Sequence, residues 1–284
     1  GYNTFYLDVT PYLNAGGKNI MAVRLENDVE SSRWYPGAGL YRNVHLIVNE
    51  DVHIPMWGTQ LSTPVVKNDF ARVRLNTSLV MPEGKSSSSY RIVTEIKNAV
   101  GSVVCKGEKQ LTDFDGQTFS QEFVVEKPEL WTPDAPYLYT AESKVYEGNV
   151  VKDESVTPFG IRSIEIIPNK GFFLNGKKTV FKGVCNHHDL GPLGAAVNDA
   201  AIRRQIRILK DMGCNAIRTS HNPFSPAFYN LCDTMGIMVL NEGLDGWNQP
   251  KAADDYGNYF DEWWQKDMTD FIKRDRNHPS IIMW

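Results

Sequence analysis

Residues 215–247 read NAIRTSHNPFSPAFYNLCDTMGIMVLNEGLDGW, and the order of elements within them decides the fold. Ala216-Ile217-Arg218 reads as a short strand, Pro226 to Met235 as a helix stopped by Gly236, and Ile237-Met238-Val239-Leu240 as a second apolar strand. Working outward, the same alternation continues on both sides. Upstream, Val180 to Val184 predicts a strand and Asp199 to Met212 a helix with Ile202, Ile206 and Leu209 on one face and Gly213 as its stop. Downstream, Tyr259 to Arg274 carries Phe260, Trp263, Trp264, Met268, Phe271 and Ile272 at helical spacing, and Ser280-Ile281-Ile282-Met283-Trp284 reads as a further strand. Strands alternating with helices in this way begin a parallel α/β fold, which continues either as a (β/α)8 TIM barrel or as an open doubly wound sheet.

The first part of the chain has a different texture. From Gly1 to about Glu50 there are short alternating runs, Phe5-Tyr6-Leu7, Asn19 to Leu25 and Val44 to Val48, separated by turn residues such as Asn14-Ala15-Gly16-Gly17. From Asp51 to about Ser163 the pattern recurs in Arg72 to Asn76, Tyr90 to Ile96, Gln121 to Val125 and Tyr137 to Ala141, at the length and spacing of one immunoglobulin-like sandwich. The Ser86 to Ser89 run reads as a hairpin loop within it. The predicted boundaries are therefore 1–50 for part of one β-sandwich, 51–165 for a second, and 166–284 for the first half of a barrel.

Composition narrows the function classes. With 284 residues, 42% of them hydrophobic, and a formal net charge of -4, the chain is globular and lacks the basic footprint of a nucleic-acid binder. Cys105, Cys185, Cys214 and Cys232 form no C-x-x-C pair and read as small buried hydrophobes. There is no apolar run of spanning length, so no membrane span is expected within the chain. The N-terminus, GYNTFYLDVT, already looks like mid-domain strand, and RDRNHPSIIMW ends on what reads as a core strand, so both ends look cut.

In a barrel the loops after the strands build the active site. Asn186-His187-His188-Asp189 follows the first predicted strand, Thr219-Ser220-His221-Asn222-Pro223 the second, and Asn241-Glu242-Gly243-Leu244-Asp245-Gly246-Trp247 the third. Any one of these polar residues alone is an ordinary cap or turn former. Together, His187, Asp189, Arg218, His221, Asn222, Glu242, Asp245 and Trp247 form a set suited to gripping hydroxyls, with bidentate donors, carboxylate acceptors and an aromatic face for a sugar ring. Adjacent His187 and His188 point to opposite sides of an extended segment, and no H-x-x-x-H spacing occurs, so no protein-ligated metal is expected. No G-x-S-x-G elbow occurs either.

Three strings, GVCNHHDLGPLGAA (Gly183 to Ala196), Asn215 to Trp247 and RDRNHPSIIMW, closely resemble the catalytic barrel of glycoside hydrolase family 2, the β-galactosidase family. RWYPGAGLYRNVHL (Arg33 to Leu46) resembles the end of that family's sugar-binding jelly-roll domain, and LWTPDAPYLYTAE with FGIRSIEI its immunoglobulin-like domain. The resemblance implies a partial jelly roll, an immunoglobulin-like sandwich and the first half of a TIM barrel. It implies a retaining exo-β-glycosidase, most simply a β-galactosidase, with β-glucuronidase, β-mannosidase or a non-catalytic carbohydrate-binding segment as alternatives.

The implied partner is a β-linked glycan, and the full-length protein is a possible homo-oligomer. No compartment can be assigned, though many bacterial relatives are periplasmic or secreted. The family's acid/base glutamate is expected just after Trp284 and its nucleophile further along, so no catalytic residue falls within the chain. His187, Arg218, His221 and Asn222 match substrate-gripping positions, Asp189 a specificity position and Glu242 the strand-end acidic position. Gly243 to Trp247 departs from the relatives that place magnesium ligands there, so no cofactor is expected, with Trp247 as a stacking wall. Arg33 and Trp34 are expected on a loop reaching the barrel mouth. A catalytic pair of Glu242 with Asp245 or Asp189 is the competing assignment.

Overall fold

A computed structural model describes residues 2–28, 39–112 and 118–284 of the chain. The sandwich is built from seven strands: β1 (Thr59–Val66), β2 (Phe70–Ser78), β3 (Tyr90–Lys97), β4 (Val103–Gln110), β5 (Thr118–Glu126), β6 (Tyr139–Glu147) and β7 (Val150–Phe159). They form two antiparallel sheets, ordered β1-β2-β5 and β4-β3-β6-β7. Period-two burial does the sorting: Phe119, Gln121, Phe123 and Val125 of β5 face inward, as do Tyr90, Ile92, Thr94 and Ile96 of β3. Buried Thr94 stays satisfied by bonding Gln121 and Ser143, each at 2.9 Å. The Ser86 to Ser89 run is not a hairpin: it joins β2 in one sheet to β3 in the other, because β2 spends its ladder on β1 and β5.

A small antiparallel sheet follows, β8 (Ile164–Ile167), β9 (Gly171–Leu174) and β10 (Lys177–Lys178). Then comes the parallel unit: β11 (Gly183–Asn186), α1 (Asp199–Asp211), β12 (Ala216–Thr219), α2 (Pro226–Met235), β13 (Met238–Leu240), α3 (Phe260–Asp275) and β14 (Ile281–Met283). The four strands lie in sequence order and pair in parallel, as the first half of a TIM barrel requires. The first strand begins three residues later than Val180 to Val184 suggested, because register with β12 starts at Gly183↔Ala216.

Local rules set the helix ends. The Asn198 side chain accepts from the Ala201 amide and caps α1. α2 stops at Gly236, whose φ of +72° and approach to Pro133, 2.2 Å from where a Cβ would sit, admit no side chain. Lys210 of α1 donates to the Pro133, Met235 and Gly236 carbonyls and so neutralises that helix end.

Sandwich and barrel are locked at the strands' N-terminal side. Trp131 is fully buried against Phe172, Leu174, Ala216, Met238 and Ile282, and its indole Nε1 donates to the Asp233 carbonyl at 2.9 Å. Arg162 donates to the carbonyls of Pro279 and Ile281, and Asn277 bonds the backbone of Thr59 and Leu61. Burial pushes Arg162 down to about 10, with Asp233 opposing.

Residues 2–28 and 39–50 carry one 3-10 turn, Thr10–Tyr12, and no strand. The alternating runs are there, but a strand exists only through a neighbour that takes its ladder, and none of the described residues does so. Their apolar side chains stay out of the cores: Ile20 is 81% exposed and Val48 84%. Arg33 and Trp34 lie outside the described residues.

Candidate functional site

Three consecutive parallel strands deliver their next residues to one rim. β11 ends at Asn186 and hands on to His187, β12 ends at Thr219 just before Ser220 and His221, and β13 ends at Leu240 just before Asn241 and Glu242. The register pairs Asn186 with Thr219 and Arg218 with Leu240, so these ends are level. Glu242 is the focus. Its Oε2 is 2.9 Å from Arg218 Nη2, and both its oxygens are 3.0 Å from His221 Nδ1. The bond to Glu242 puts a proton on His221 Nδ1 and fixes the ring. The His187 ring meets that of His221 edge-on at 5.7 Å. Arg218 also donates from Nη1 to Cys185 Sγ at 3.6 Å.

A buried polar chain supports this group from behind. The Glu242 amide donates to Thr219 Oγ1 at 2.9 Å, and Thr219 in turn donates to Asn241 Oδ1 at 3.2 Å. The Tyr229 hydroxyl donates to the same Asn241 oxygen at 2.7 Å and accepts from the Phe224 amide at 2.9 Å. Asn241 Nδ2 reaches Asp275, whose carboxylate takes two 2.6 Å bonds from Arg274. Thr219, Tyr229 and Asp275 have no exposure at all, and burial pushes the Tyr229 phenol far up, so it acts only as a neutral hydroxyl. Such a satisfied buried network rigidifies whatever it carries. None of its members beyond the strand ends was picked out from sequence. The one available signal was the RDRNHPS string, which reads as a charged turn but contributes the buried Arg274–Asp275 pair.

Arg218, His187, His221 and Glu242 come together at the rim. Asn222 is buried beside them, 5% exposed, with its Oδ1 unpartnered among the described residues. Asp189 makes no hydrogen bond to the Glu242 group; it sits by His188, whose pKa burial lowers and Asp189 raises. Asp245 and Trp247 form an outer layer: Lys251 donates to the Asp245 Oδ1 and carbonyl at 2.9 and 3.0 Å, and half-exposed Trp247 leans on Phe260 at 6.1 Å. Sequence gave no hint of Lys251. Among the described residues, no group of three His, Cys, Asp or Glu side chains is placed to hold a metal, and no helix is long and apolar enough to cross a membrane.

The strand ends of this half-barrel present cationic, imidazole and carboxylate groups around one opening, the place where TIM barrels build their active sites. Residues 165–284 match the model of the glycosyl hydrolases family 2 TIM barrel domain and residues 52–162 the model of glycosyl hydrolases family 2. The chain belongs to glycosyl hydrolase family 2. It is 45% identical to a β-galactosidase of Bacteroides ovatus, with all of this chain and 34% of that protein aligned. A putative β-glucuronidase of Formosa agariphila is 38% identical, again over all of this chain and over 27% of its own length. A solved family 2 member from Bacteroides cellulosilyticus superposes with a TM-score of 0.95 at 39% identity, covering all of this chain and 37% of that one. The chain thus spans about a third of the length of the curated relatives it matches.

Proposed function

We propose that residues 1–284 form the substrate-gripping part of a retaining exo-β-glycosidase that releases terminal β-galactosides by two-glutamate double displacement, with both glutamates outside this segment. The reading divides the chain into the end of a sugar-binding jelly roll at 1–50, the immunoglobulin-like sandwich at 51–165 and the barrel half at 166–284. The observation that carries it is the state of Glu242. Retaining chemistry needs two carboxyl groups about 5–5.5 Å apart, one to protonate the leaving oxygen and one to attack the anomeric carbon. Glu242 is instead anchored on both oxygens, by Arg218 and His221. An anchored carboxylate holds the rim in shape, and in this reading His187, His221, Asn222 and the outer Trp247 face the sugar.

The same anchoring argues against a resident magnesium at Glu242. A hard cation wants several oxygens not already committed to cationic donors, and this donor set does not fit it. The name of the Bacteroides ovatus relative favours galactose. The name of the Formosa agariphila relative favours glucuronate as the second reading.

The test is nitrophenol release from β-galactoside, β-glucuronide and β-mannoside by this chain and by a polypeptide extended to its relatives' length. Turnover by the extended form alone supports the proposal and names the sugar. In that form, Glu242→Gln should still be labelled covalently by a fluoro-glycoside. Lost labelling, or turnover by the 284-residue chain itself, would make Glu242 with Asp245 or Asp189 the catalytic pair.

A further inference from the structure

We propose that Tyr41 and Arg42 form a strap that positions the two substrate loops of the barrel rim, with Arg42 a positioning residue acting through His221 and Asn222; the inference rests on the glycosidase reading. Residues 221–224 belong to no helix or strand, yet their backbone is held at consecutive groups by side chains from three separate places. Arg42 Nη2 donates to the Pro223 carbonyl at 2.6 Å, Arg274 Nη2 of α3 donates to the Phe224 carbonyl at 2.9 Å, and Tyr229 of α2 accepts from the Phe224 amide. Two of those anchors lie within the barrel. The third comes from a segment that precedes the whole sandwich.

The neighbouring residue reaches the other loop. The Tyr41 carbonyl accepts from the Val197 amide at 3.2 Å, in the connection after β11, and its ring lies 5.6 Å from that of His188. Two adjacent residues therefore tie the loop carrying His187 and Asp189 to the loop carrying His221 and Asn222. Arg42 holds its place at some expense. Its Nε and Nη1 are buried without hydrogen-bond partners, and it forms no ion pair with a carboxylate among the described residues. Burial lowers its pKa and the nearby Arg274 guanidinium adds to that, while Tyr41, Tyr229 and Asp275 pull it back up; the net direction is down. The guanidinium lies over the Tyr41 ring at 5.0 Å but has no carboxylate partner, and burying a charge without one is costly, so contact with the Pro223 carbonyl is a poor device for stability alone. It is a good one for fixing where His221 and Asn222 point.

Arg42→Met and Arg42→Lys should be compared with the parent in two measurements. In the polypeptide extended to its relatives' length, with whichever nitrophenyl β-glycoside the parent turns over, Arg42→Met should raise KM about tenfold while kcat stays within about threefold, and Arg42→Lys should fall between. In the 284-residue chain, hydrogen exchange should quicken at Phe224, Ser225 and Val197 and stay unchanged at Val239 in β13. Unchanged KM with unchanged exchange would overturn the strap. Exchange quickening equally through β13 would overturn it too, making Arg42 a general stabiliser. If Arg42→Met does not fold, Arg42→Lys carries the same comparison. Failure of the parent to turn over any β-glycoside sinks the glycosidase reading instead, and the exchange data then decide the strap on their own.

Discussion

The sandwich of β1–β7 and the parallel sheet of β11–β14 bury apolar surface under different boundary conditions. In the sandwich, two antiparallel sheets close on each other, and β2, β3 and β6 each have neighbours on both sides. Its ion pairs stay at or near the surface: the Arg74–Glu122 pair is about half exposed on both partners. In the parallel unit β11 pairs only with β12, and β14 only with β13, among the described residues. Its polar groups are drawn inward, with Asp233, Asn241, Asp270 and Asp275 all buried. The sandwich is stabilised by what it excludes. The parallel unit depends on what it has paired inside, and on the sandwich that braces its lower edge.

The largest expected effect comes from cutting that brace. Trp131→Ala removes a fully buried indole from between the two regions, together with its bond to the Asp233 carbonyl, and should destabilise the chain by about 3–5 kcal/mol. The sandwich core around Val73, Ile92 and Phe123 is untouched, so a single calorimetric transition should split in two, with the parallel unit melting first. One undivided transition would mean the regions are coupled by the Arg162 and Asn277 bonds rather than by the indole.

A smaller, paired effect separates structure from site. Tyr229→Phe strands the Phe224 amide and leaves Asn241 Oδ1 with Thr219 as its donor, while Thr94→Val strands Gln121 and Ser143 in the sandwich. Each leaves buried polar groups short of a partner, and each should cost about 1–3 kcal/mol in urea unfolding. Only Tyr229→Phe should also weaken sugar binding, because its hydroxyl props up both Glu242 and the His221 loop. Equal loss of binding in Thr94→Val would show that ligand affinity tracks global stability.

The same contrast explains what could be read in advance. α2 matches its sequence reading residue for residue, because Gly236 gives a stop that no tertiary contact has to supply. His187, Arg218, His221 and Glu242 were legible because strand ends in a parallel unit point at one rim whatever the loops do. Arg42, Tyr229 and Asp275 were not. A buried arginine has the same letter as a surface one, and the contact from Arg42 to Pro223 crosses the entire sandwich in sequence. The runs in residues 2–28 and 39–50 form no strand for a related reason: alternation predicts a face, but pairing decides whether a strand forms.

The smallest effect is a proton, and its sign follows from the geometry. His278, in the turn before β14, donates from Nδ1 to Asp233 Oδ2 at 2.5 Å, while the other Asp233 oxygen accepts from the Ser280 amide at 3.0 Å. Burial by itself would lower the His278 pKa. The Asp233 carboxylate outweighs it, Asp275 adds to the rise and Arg274 opposes, and the net direction is up. A histidine with a raised folded pKa lends stability that is fully present below its unfolded value, about 6.5, and is lost as pH climbs through the folded value. Urea midpoints of the parallel unit should therefore decline from mildly acidic pH upward. Asp233→Asn should flatten that decline while lowering stability throughout, because His278 loses the partner that holds its charge. The sandwich, with no such buried histidine among its described residues, should show no matching slope. If it does, the pH dependence arises from the surface charges of the chain and the distinction between the two regions fails at this level.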